Sequence, residues 1–406
     1  MATKKKKNGI IGTFFNKGSM DIPFLLVLMT IVTVGLIMLF SASYTYSYYN
    51  RGSSTQIFYR QLFWVVIGLI LMYIISRIRY EYYRAVAVIG VVVSIGLLLL
   101  VLILPEYKPG FKRWIDLGFT TFQPSEIAKI GLILILALLL ERQYKLVVGK
   151  VPSEMVVCRK IEELTNGRLV IYKSFTTTIL YGVIILVFAG LVFLENHVSG
   201  TVLMLALGIV MLFLGEVNNK WFIIAGIGIA IVGVLLIANP DILKEYAGER
   251  IVAWLDKDYE PLGARWQTNN SLYAIGSGGF LGTGLGQSKQ KHLYVSEPQN
   301  DFIFSIVCEE LGFVGATVII LLFAYLVYRG IKIGLRAKDR FSALLAMGIV
   351  FQIGVQVALN IAVVSDFIPN TGISLPFFSA GGTSVVILLC EMGMVLSISR
   401  SARKKE

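Results

Sequence analysis

The chain has 406 residues, of which 56% are apolar and only 15% are charged, and its mean hydropathy is +0.74. Soluble globular proteins carry about 25% charged and roughly 45–50% apolar residues, so this composition excludes soluble enzyme folds and indicates a protein surrounded mainly by lipid. The formal net charge is +12. Basic residues of membrane proteins gather on the cytoplasmic side, so this charge gives no support to a nucleic-acid partner.

Cysteines and histidines are few and widely separated. The chain has three cysteines, Cys158, Cys308 and Cys390, and two histidines, His197 and His292. An odd number of cysteines does not indicate a disulfide framework. The chain also has too few histidines and cysteines to favour a zinc site or a histidine-based catalytic triad.

Apolar runs of about 20 residues, the length that a bilayer requires, recur along the chain. We therefore predict an all-α polytopic membrane protein. About ten transmembrane helices are expected, at 22–43, 57–76, 84–104, 124–141, 174–194, 198–215, 219–238, 301–327, 341–363 and 379–398. The first apolar run is longer than the roughly 7–15 residues of a cleaved signal peptide, so we predict a retained signal anchor.

The distribution of basic residues predicts the orientation. With a cytoplasmic N-terminus, the segments that face the cytoplasm hold 25 of the 37 Lys and Arg residues. The positive-inside bias then predicts that both termini are cytoplasmic. The predicted parts are a basic tail at 1–21, one membrane domain at 22–398 and a basic tail at 399–406. The domain includes a cytoplasmic loop at 142–173 and a large extracytoplasmic loop at 239–300, between the seventh and eighth helices.

The first outer segment, 105–123, carries the adjacent cations Lys112 and Arg113 beside Trp114. Interfacial anchoring explains a tryptophan at this position. Two cations that face away from the cytoplasm run against the positive-inside bias, so an anionic ligand is an equally good explanation.

The large outer loop is rich in glycine at 276–279 and 282–286. These stretches resemble phosphate-cradling loops but fit neither the P-loop nor the dinucleotide pattern, and ordinary turns explain them better. Lys289 and Lys291 add cations just downstream. Near the end of the chain, Pro and Gly within 369–384 predict broken or re-entrant backbone, which is tolerated in membranes where it lines a polar cavity.

Ionisable residues within the predicted spans are costly and indicate function or a buried partner. Glu126 and Lys129 are three residues apart on one helical face and can pair, which leaves a structural and a direct role open. Asp301 either caps the eighth helix or serves as a general base. Glu309 and Glu310 lie about 12–14 Å further along that helix and are expected to accept hydrogen bonds or to face a polar cavity.

Four separated strings carry a family resemblance. They are R-W-I-D-L-G-F-T-T-F-Q-P-S-E-I-A-K (113–129), N-S-L-Y-A-I-G-S-G-G-F-L-G-T-G-L-G-Q-S-K-Q-K (270–291), E-P-Q-N-D-F-I-F-S-I-V-C-E-E-L-G (297–312) and G-I-S-L-P-F-F-S-A-G-G-T-S (372–384). In this order they resemble the SEDS proteins (shape, elongation, division and sporulation), the group of RodA, FtsW and SpoVE. The resemblance covers nearly the whole chain.

The resemblance implies a ten-helix peptidoglycan glycosyltransferase that polymerises lipid II at the outer face of the bacterial cytoplasmic membrane, for division or elongation. It also implies a class B penicillin-binding transpeptidase as partner, with other divisome or elongasome membrane proteins. The catalytic aspartate of the family maps onto Asp301. The R-W and Q-P-S-E-x-x-K positions map onto Arg113, Gln123, Glu126 and Lys129, and a basic loop position maps onto Lys289.

The sequence departs from the family pattern at three places. Residues 195–201 read E-N-H-V-S-G-T where many members have Q-P-D-x-G-T, Gln299 and Asn300 precede Asp301 where E-P-H-T-D is common, and Ala380 replaces a usual tyrosine. None of these differences removes Asp301. They indicate a divergent branch that keeps its activity.

The expected chemistry is attack of a sugar hydroxyl on an anomeric carbon, with a lipid diphosphate as leaving group and inversion. Asp301 is predicted to be the base. Arg113, Lys289, Lys291 and Gln123 are predicted to bind the diphosphate or saccharide, with a divalent cation, Mg²⁺ or Mn²⁺, as a further candidate. Two alternatives stay open, a lipid II flippase or transporter and a non-catalytic scaffold that activates a transpeptidase.

Overall fold

The computed structural model describes residues 16, 18–105, 112–118, 120–147, 173–217, 222, 226, 250–263 and 265–402. Its long helices on the first half of the chain are α1 (Ile22–Arg51), α2 (Gln56–Arg77), α3 (Glu81–Ile103), α4 (Pro124–Val147), α5 (Lys173–Leu194) and α6 (Val198–Leu214). The second half contains the short α7 (Trp266–Ser277) and the long α8 (Ile303–Leu335), α9 (Arg340–Val364) and α10 (Gly382–Ser401).

The prediction of an all-α polytopic membrane protein is confirmed. Within the described residues, six helices, α1, α2, α3, α8, α9 and α10, are long and apolar enough to cross a bilayer. Helices α4, α5 and α6 coincide with three further predicted spans. The predicted span at 219–238 lies outside the described residues except for 222 and 226, as does most of the 142–173 loop.

The structure adds two features that the apolar runs do not predict. A two-stranded antiparallel hairpin, β1 (Ile115–Asp116) and β2 (Thr121–Phe122), stands between α3 and α4. Helix α1 continues past the predicted end of its apolar run through a Tyr- and Ser-rich stretch to Arg51. It ends there because Gly52 adopts a left-handed conformation, φ 71°, that glycine adopts without steric cost.

Helices α8 and α9 form one closely packed pair of the bundle. Helix α8 also contacts α1, helix α9 contacts α4 and α6, and α10 lies along α2. The hairpin, the 195–197 turn, residues 250–302 and residues 365–381 all meet at one end of the bundle, which we call the loop face. Many of the buried polar residues lie at this end and in the space below it.

Helix α8 is kinked at Gly312, where φ is 67° and ψ is −171°. The segment 279–284 of the large loop fills the kink. Thr283 N and Gly284 N donate to the carbonyl oxygens of Glu309 and Glu310 at 2.9 and 3.0 Å. In return, the backbone N–H groups of residues 313 and 314 donate to the carbonyl oxygens of residues 279 and 280, at 2.9 and 3.1 Å. The loop thus supplies the main-chain hydrogen bonds that the kink removes from the helix.

Candidate functional site

A polar cavity of about 610 Å³ opens at the loop face and extends between the helices to the first turns of α4. Residues from several separate parts of the chain line it. The charged residues among them are Arg51, Arg60, Arg113, Glu126, Lys129, Arg250, Glu297 and Asp301. A cavity of this size, with polar groups that converge on it, is a common form of ligand-binding site.

Asp301 lies on the cavity wall and is partly exposed to it. It does not occupy the cap position of α8, which is held by Phe302, and this position makes no side-chain cap bond. Burial raises the pKa of the Asp301 carboxyl to about 6; Arg113 and Arg250 oppose this shift and Glu297 adds to it. The geometry therefore favours the predicted role of a base over the capping role.

Arginine side chains surround the cavity from several elements. Arg113 comes from the segment before the hairpin, Arg51 from the end of α1 and Arg60 from α2. Arg250 is one of the helical residues 250–255. Arg60 Nη2 also donates to Thr120 Oγ1 at 3.4 Å. Guanidinium groups bind phosphate oxygens well because their donors form a planar fork.

The predicted pair of Glu126 and Lys129 lies at the floor of the cavity. Lys129 Nζ is 2.9 Å from Glu126 Oε1, and both side chains are nearly buried. Ser384 Oγ from α10 donates to Glu126 Oε2 at 3.0 Å, and Lys129 also donates to Gln356 Oε1 of α9 at 3.3 Å. The pair therefore joins three helices, and both of its members face the cavity.

The turn between α5 and α6, where the sequence departs from the family pattern, adds two buried groups. His197 lines the cavity with its Nδ1 atom 3.4 Å from Gln123 Nε2 and 3.5 Å from Ser125 Oγ. Burial lowers the pKa of His197 to about 3, so its imidazole is neutral at physiological pH. Glu195 is fully buried, its two oxygens accept no hydrogen bond from the described residues, and burial raises its pKa to about 8.

The two predicted loop lysines do not line the cavity. Lys289 is exposed, whereas Lys291 is buried with its Nζ 2.9 Å from Glu310 Oε1 and 3.1 Å from Ser41 Oγ of α1. These positions do not support the prediction that Lys289 and Lys291 contact a diphosphate. Proximity in sequence to Asp301 does not determine which groups a loop segment contacts, because that depends on how the loop packs against α8.

Glu309 and Glu310 both accept hydrogen bonds, and their donors come mainly from the large loop. Glu309 Oε1 accepts from Lys289 N at 2.8 Å, and Glu309 Oε2 accepts from Ser288 Oγ at 2.5 Å. Glu310 accepts from Ser41 Oγ at 2.7 Å in addition to its ion pair. The two glutamates therefore hold residues 288–291 against α8 and α1.

Several cavity residues are missing from the sequence predictions. Arg60 stands within a predicted span, so the cost of an intramembrane cation could have identified it. Arg51 and Arg250 are cations on predicted outer segments and could have been flagged like Arg113. Gln356, which lines the cavity, is one of three amides four residues apart in a mostly apolar span, with Gln352 and Asn360, and this spacing places all three on one face of α9.

The comparisons with known proteins agree with the motifs. The family model for FtsW, RodA and SpoVE, described as "Cell cycle protein", matches residues 22–404. Stage V sporulation protein E of Bacillus subtilis is 37% identical over 390 residues, which cover 95% of this chain and 99% of that protein. The probable peptidoglycan glycosyltransferase FtsW of Trichlorobacter lovleyi is 33% identical over 387 residues, with 95% and 94% of the two chains covered.

Solved structures share the fold. A chain from a peptidoglycan synthase complex, studied for the coordination of polymerization and crosslinking, superposes with a TM-score of 0.72 at 25% identity and covers 94% of this chain and 98% of its own length. The rod shape determining protein RodA of Thermus thermophilus gives a TM-score of 0.65 at 23% identity, with 95% and 99% coverage. The matched family model and the similarity to both relatives show that this chain belongs to the FtsW, RodA and SpoVE family of cell cycle proteins.

Proposed function

We propose that the protein is a peptidoglycan glycosyltransferase that polymerises lipid II into glycan strands, with Asp301 as its general base. The observation that carries the proposal is the setting of Asp301. Its carboxylate faces a cavity lined by arginines, and none of the described residues donates a hydrogen bond to this carboxylate. The relatives named as probable peptidoglycan glycosyltransferases support the same reaction class.

The reaction needs one displacement. Asp301 removes the proton from a hydroxyl of the acceptor sugar, and the hydroxyl oxygen forms a bond to the anomeric carbon of the donor. The bond between that carbon and the diphosphate breaks, and the lipid diphosphate leaves with the electron pair, so the configuration inverts. A diphosphate is a good leaving group, so a second carboxylic acid of the kind used by glycosidases is not required.

Positive charge near the leaving diphosphate comes from the cavity arginines. Arg113 keeps its predicted role, and Arg51, Arg60 and Arg250 replace the two loop lysines in the proposal. The described residues contain no group of three or more His, Cys, Asp or Glu side chains that could hold a metal ion. The steps above use side chains of this chain, and a divalent cation bound with the diphosphate would add positive charge at the same place.

The proposal includes an orientation and a partner. The loop face lies outside the cytoplasmic membrane and both termini lie in the cytoplasm, which the distribution of Lys and Arg supports. A class B penicillin-binding transpeptidase crosslinks the glycan, and the similarity to a chain of a peptidoglycan synthase complex supports this pairing.

The rate of polymerisation should depend on the ionisation of Asp301. A base must be deprotonated, and burial raises the pKa of this carboxyl to about 6. We therefore expect kcat/KM to be constant above that pH and to fall about tenfold for each pH unit below it. Initial rates between pH 4.5 and 8 measure this limb. A limb near the ordinary aspartate value of about 4 would contradict the raised pKa of this carboxyl.

One assay separates the proposed function from its alternatives. The purified full-length chain is given lipid II with and without its transpeptidase, and glycan chains are resolved by gel electrophoresis. Glycan made by the wild type supports the glycosyltransferase. Movement of labelled lipid II across vesicle membranes without glycan synthesis indicates a flippase. Glycan synthesis that requires the partner and is equal for Asp301→Asn and the wild type indicates a scaffold.

A further inference from the structure

The side chain of Asn360 joins two segments of the cavity wall. Asn360 is completely buried in α9, and its Nδ2 atom donates to the carbonyl oxygen of Asp301 at 2.7 Å and to that of Ile373 at 2.6 Å. One amide group thus uses both of its N–H bonds on main-chain acceptors from different parts of the chain.

Helix α8 leaves the Asp301 carbonyl without a partner of its own. In a regular helix this oxygen would accept from the N–H of residue 305, but Ser305 N donates to the carbonyl oxygen of Phe302 at 3.1 Å. Phe302, at the cap position, makes no side-chain cap. The neighbouring hydrogen bonds go to the residues before Asp301. Ser379 Oγ donates to the carbonyl oxygen of Asn300, and Ala380 N donates to that of Gln299. Among the described residues, Asn360 is the side chain that bonds to the main chain of Asp301.

The second acceptor lies in the segment that packs on the carboxylate itself. Gly372 precedes Ile373 and has a left-handed φ of 73°, and a Cβ atom placed on it would lie 3.1 Å from Asp301 Oδ2. Asn360 therefore ties the main chain of Asp301 to the segment at Gly372 and Ile373 that packs on the Asp301 carboxylate.

We propose that Asn360 is a positioning residue for Asp301, whose side-chain amide holds the carboxylate at the distance from the acceptor hydroxyl that proton transfer requires. This inference rests on the proposed function. Small displacements of a reacting group are costly, since about 1 Å can lower a rate 100-fold. The lost hydrogen bonds should then appear mainly in kcat, because Asn360 does not line the cavity and does not contact the substrate.

Helix α9 offers a matched control. Gln352 is also fully buried and lies two turns before Asn360 on the same face, but its amide donates to Glu391 of α10 at 3.1 Å. The variants Asn360→Leu and Gln352→Leu each remove a buried amide from α9. They should lose thermal stability to a similar extent, whereas a change in the position of Asp301 should follow only from the first.

The experiment measures kcat, KM for lipid II, the pH profile and thermal unfolding of the purified full-length variants. Asn360→Leu should lower kcat about 10–100-fold and change KM less than threefold. The acid limb of its pH profile should move to lower pH, because an Asp301 carboxylate that is no longer held in place becomes more hydrated. The charged groups that face this carboxylate, Arg113, Arg250 and Glu297, are unchanged in the variant. Gln352→Leu should keep kcat within about threefold of the wild type, with an unchanged limb.

Equal kcat values and pH profiles for the two variants would overturn the positioning role. A wild type that makes no glycan in the same preparation would refute the proposed function, and the positioning role with it. If Asn360→Leu does not fold, Asn360→Ser, which keeps one shorter donor, takes its place and should show a smaller fall in kcat with the same shift of the limb.

Discussion

The variant Asp301→Asn should lose glycan polymerisation and keep its fold. Asparagine has the shape of aspartate but cannot accept a proton, and general-base catalysis contributes about 10²–10⁴-fold to a rate. Because burial raises the pKa of Asp301, the folded protein disfavours the ionised carboxylate, and a neutral amide should not lower thermal stability at neutral pH. Initial rates of polymerisation and thermal unfolding of the purified protein measure the two effects.

The matched control is Asp258→Asn, which changes an exposed aspartate of the same large loop that does not line the cavity. It should polymerise at the wild-type rate. Polymerisation by Asp301→Asn within about threefold of the wild type would exclude Asp301 as the base, and an equal loss in both variants would indicate a general effect of charge in the loop.

The variant Lys291→Met should be strongly destabilised. Lys291 and Glu310 form an ion pair of 2.9 Å whose side chains are at most 5% exposed, and Lys291 Nζ also donates to the carbonyl oxygen of Gly286 at 2.7 Å. Removal of one member of a buried pair leaves an uncompensated charge and costs about 3–5 kcal/mol. We expect a clearly lower midpoint of thermal unfolding and earlier proteolysis within the large loop.

Two further variants make this result specific. Lys289→Met removes an exposed lysine two residues away and should leave the unfolding midpoint unchanged. Adding Glu310→Gln to Lys291→Met removes the uncompensated charge and should restore part of the lost stability. A Lys291→Met protein with wild-type stability and a raised KM for lipid II would instead return Lys291 to the substrate site.

Much of the fold could be predicted from the sequence, because apolar runs of bilayer length report directly on membrane helices. The three-residue spacing of Glu126 and Lys129 is also local information, and the structure places these side chains in contact. The position of a loop residue depends on long-range packing. Lys289 and Lys291 stand shortly before Asp301 in the sequence, yet Glu309 and Glu310 of α8 hold their segment, and neither lysine lines the cavity.

The same limit explains the cavity. Arg51, Arg60 and Arg250 come from segments far apart in the chain, so their convergence depends on how α1, α2 and the large loop pack. The two bonds of Asn360 likewise join residues 59 and 13 positions away. The helical spacing of the amides identifies the buried face of α9. The hydrogen-bond partners of these amides can be identified only from the tertiary structure.

The exchange of main-chain hydrogen bonds at Gly312 has a mechanical consequence. Separating segment 279–284 from α8 would leave two main-chain donors and two acceptors on each side without their present partners. A Cβ atom on Gly282 would also collide with the Glu310 carbonyl, so the main chain of the loop segment lies in direct contact with the main chain of α8. Segment 279–284 and the outer half of α8 should therefore move as one rigid body, and a long lipid substrate would have to enter the cavity past another wall.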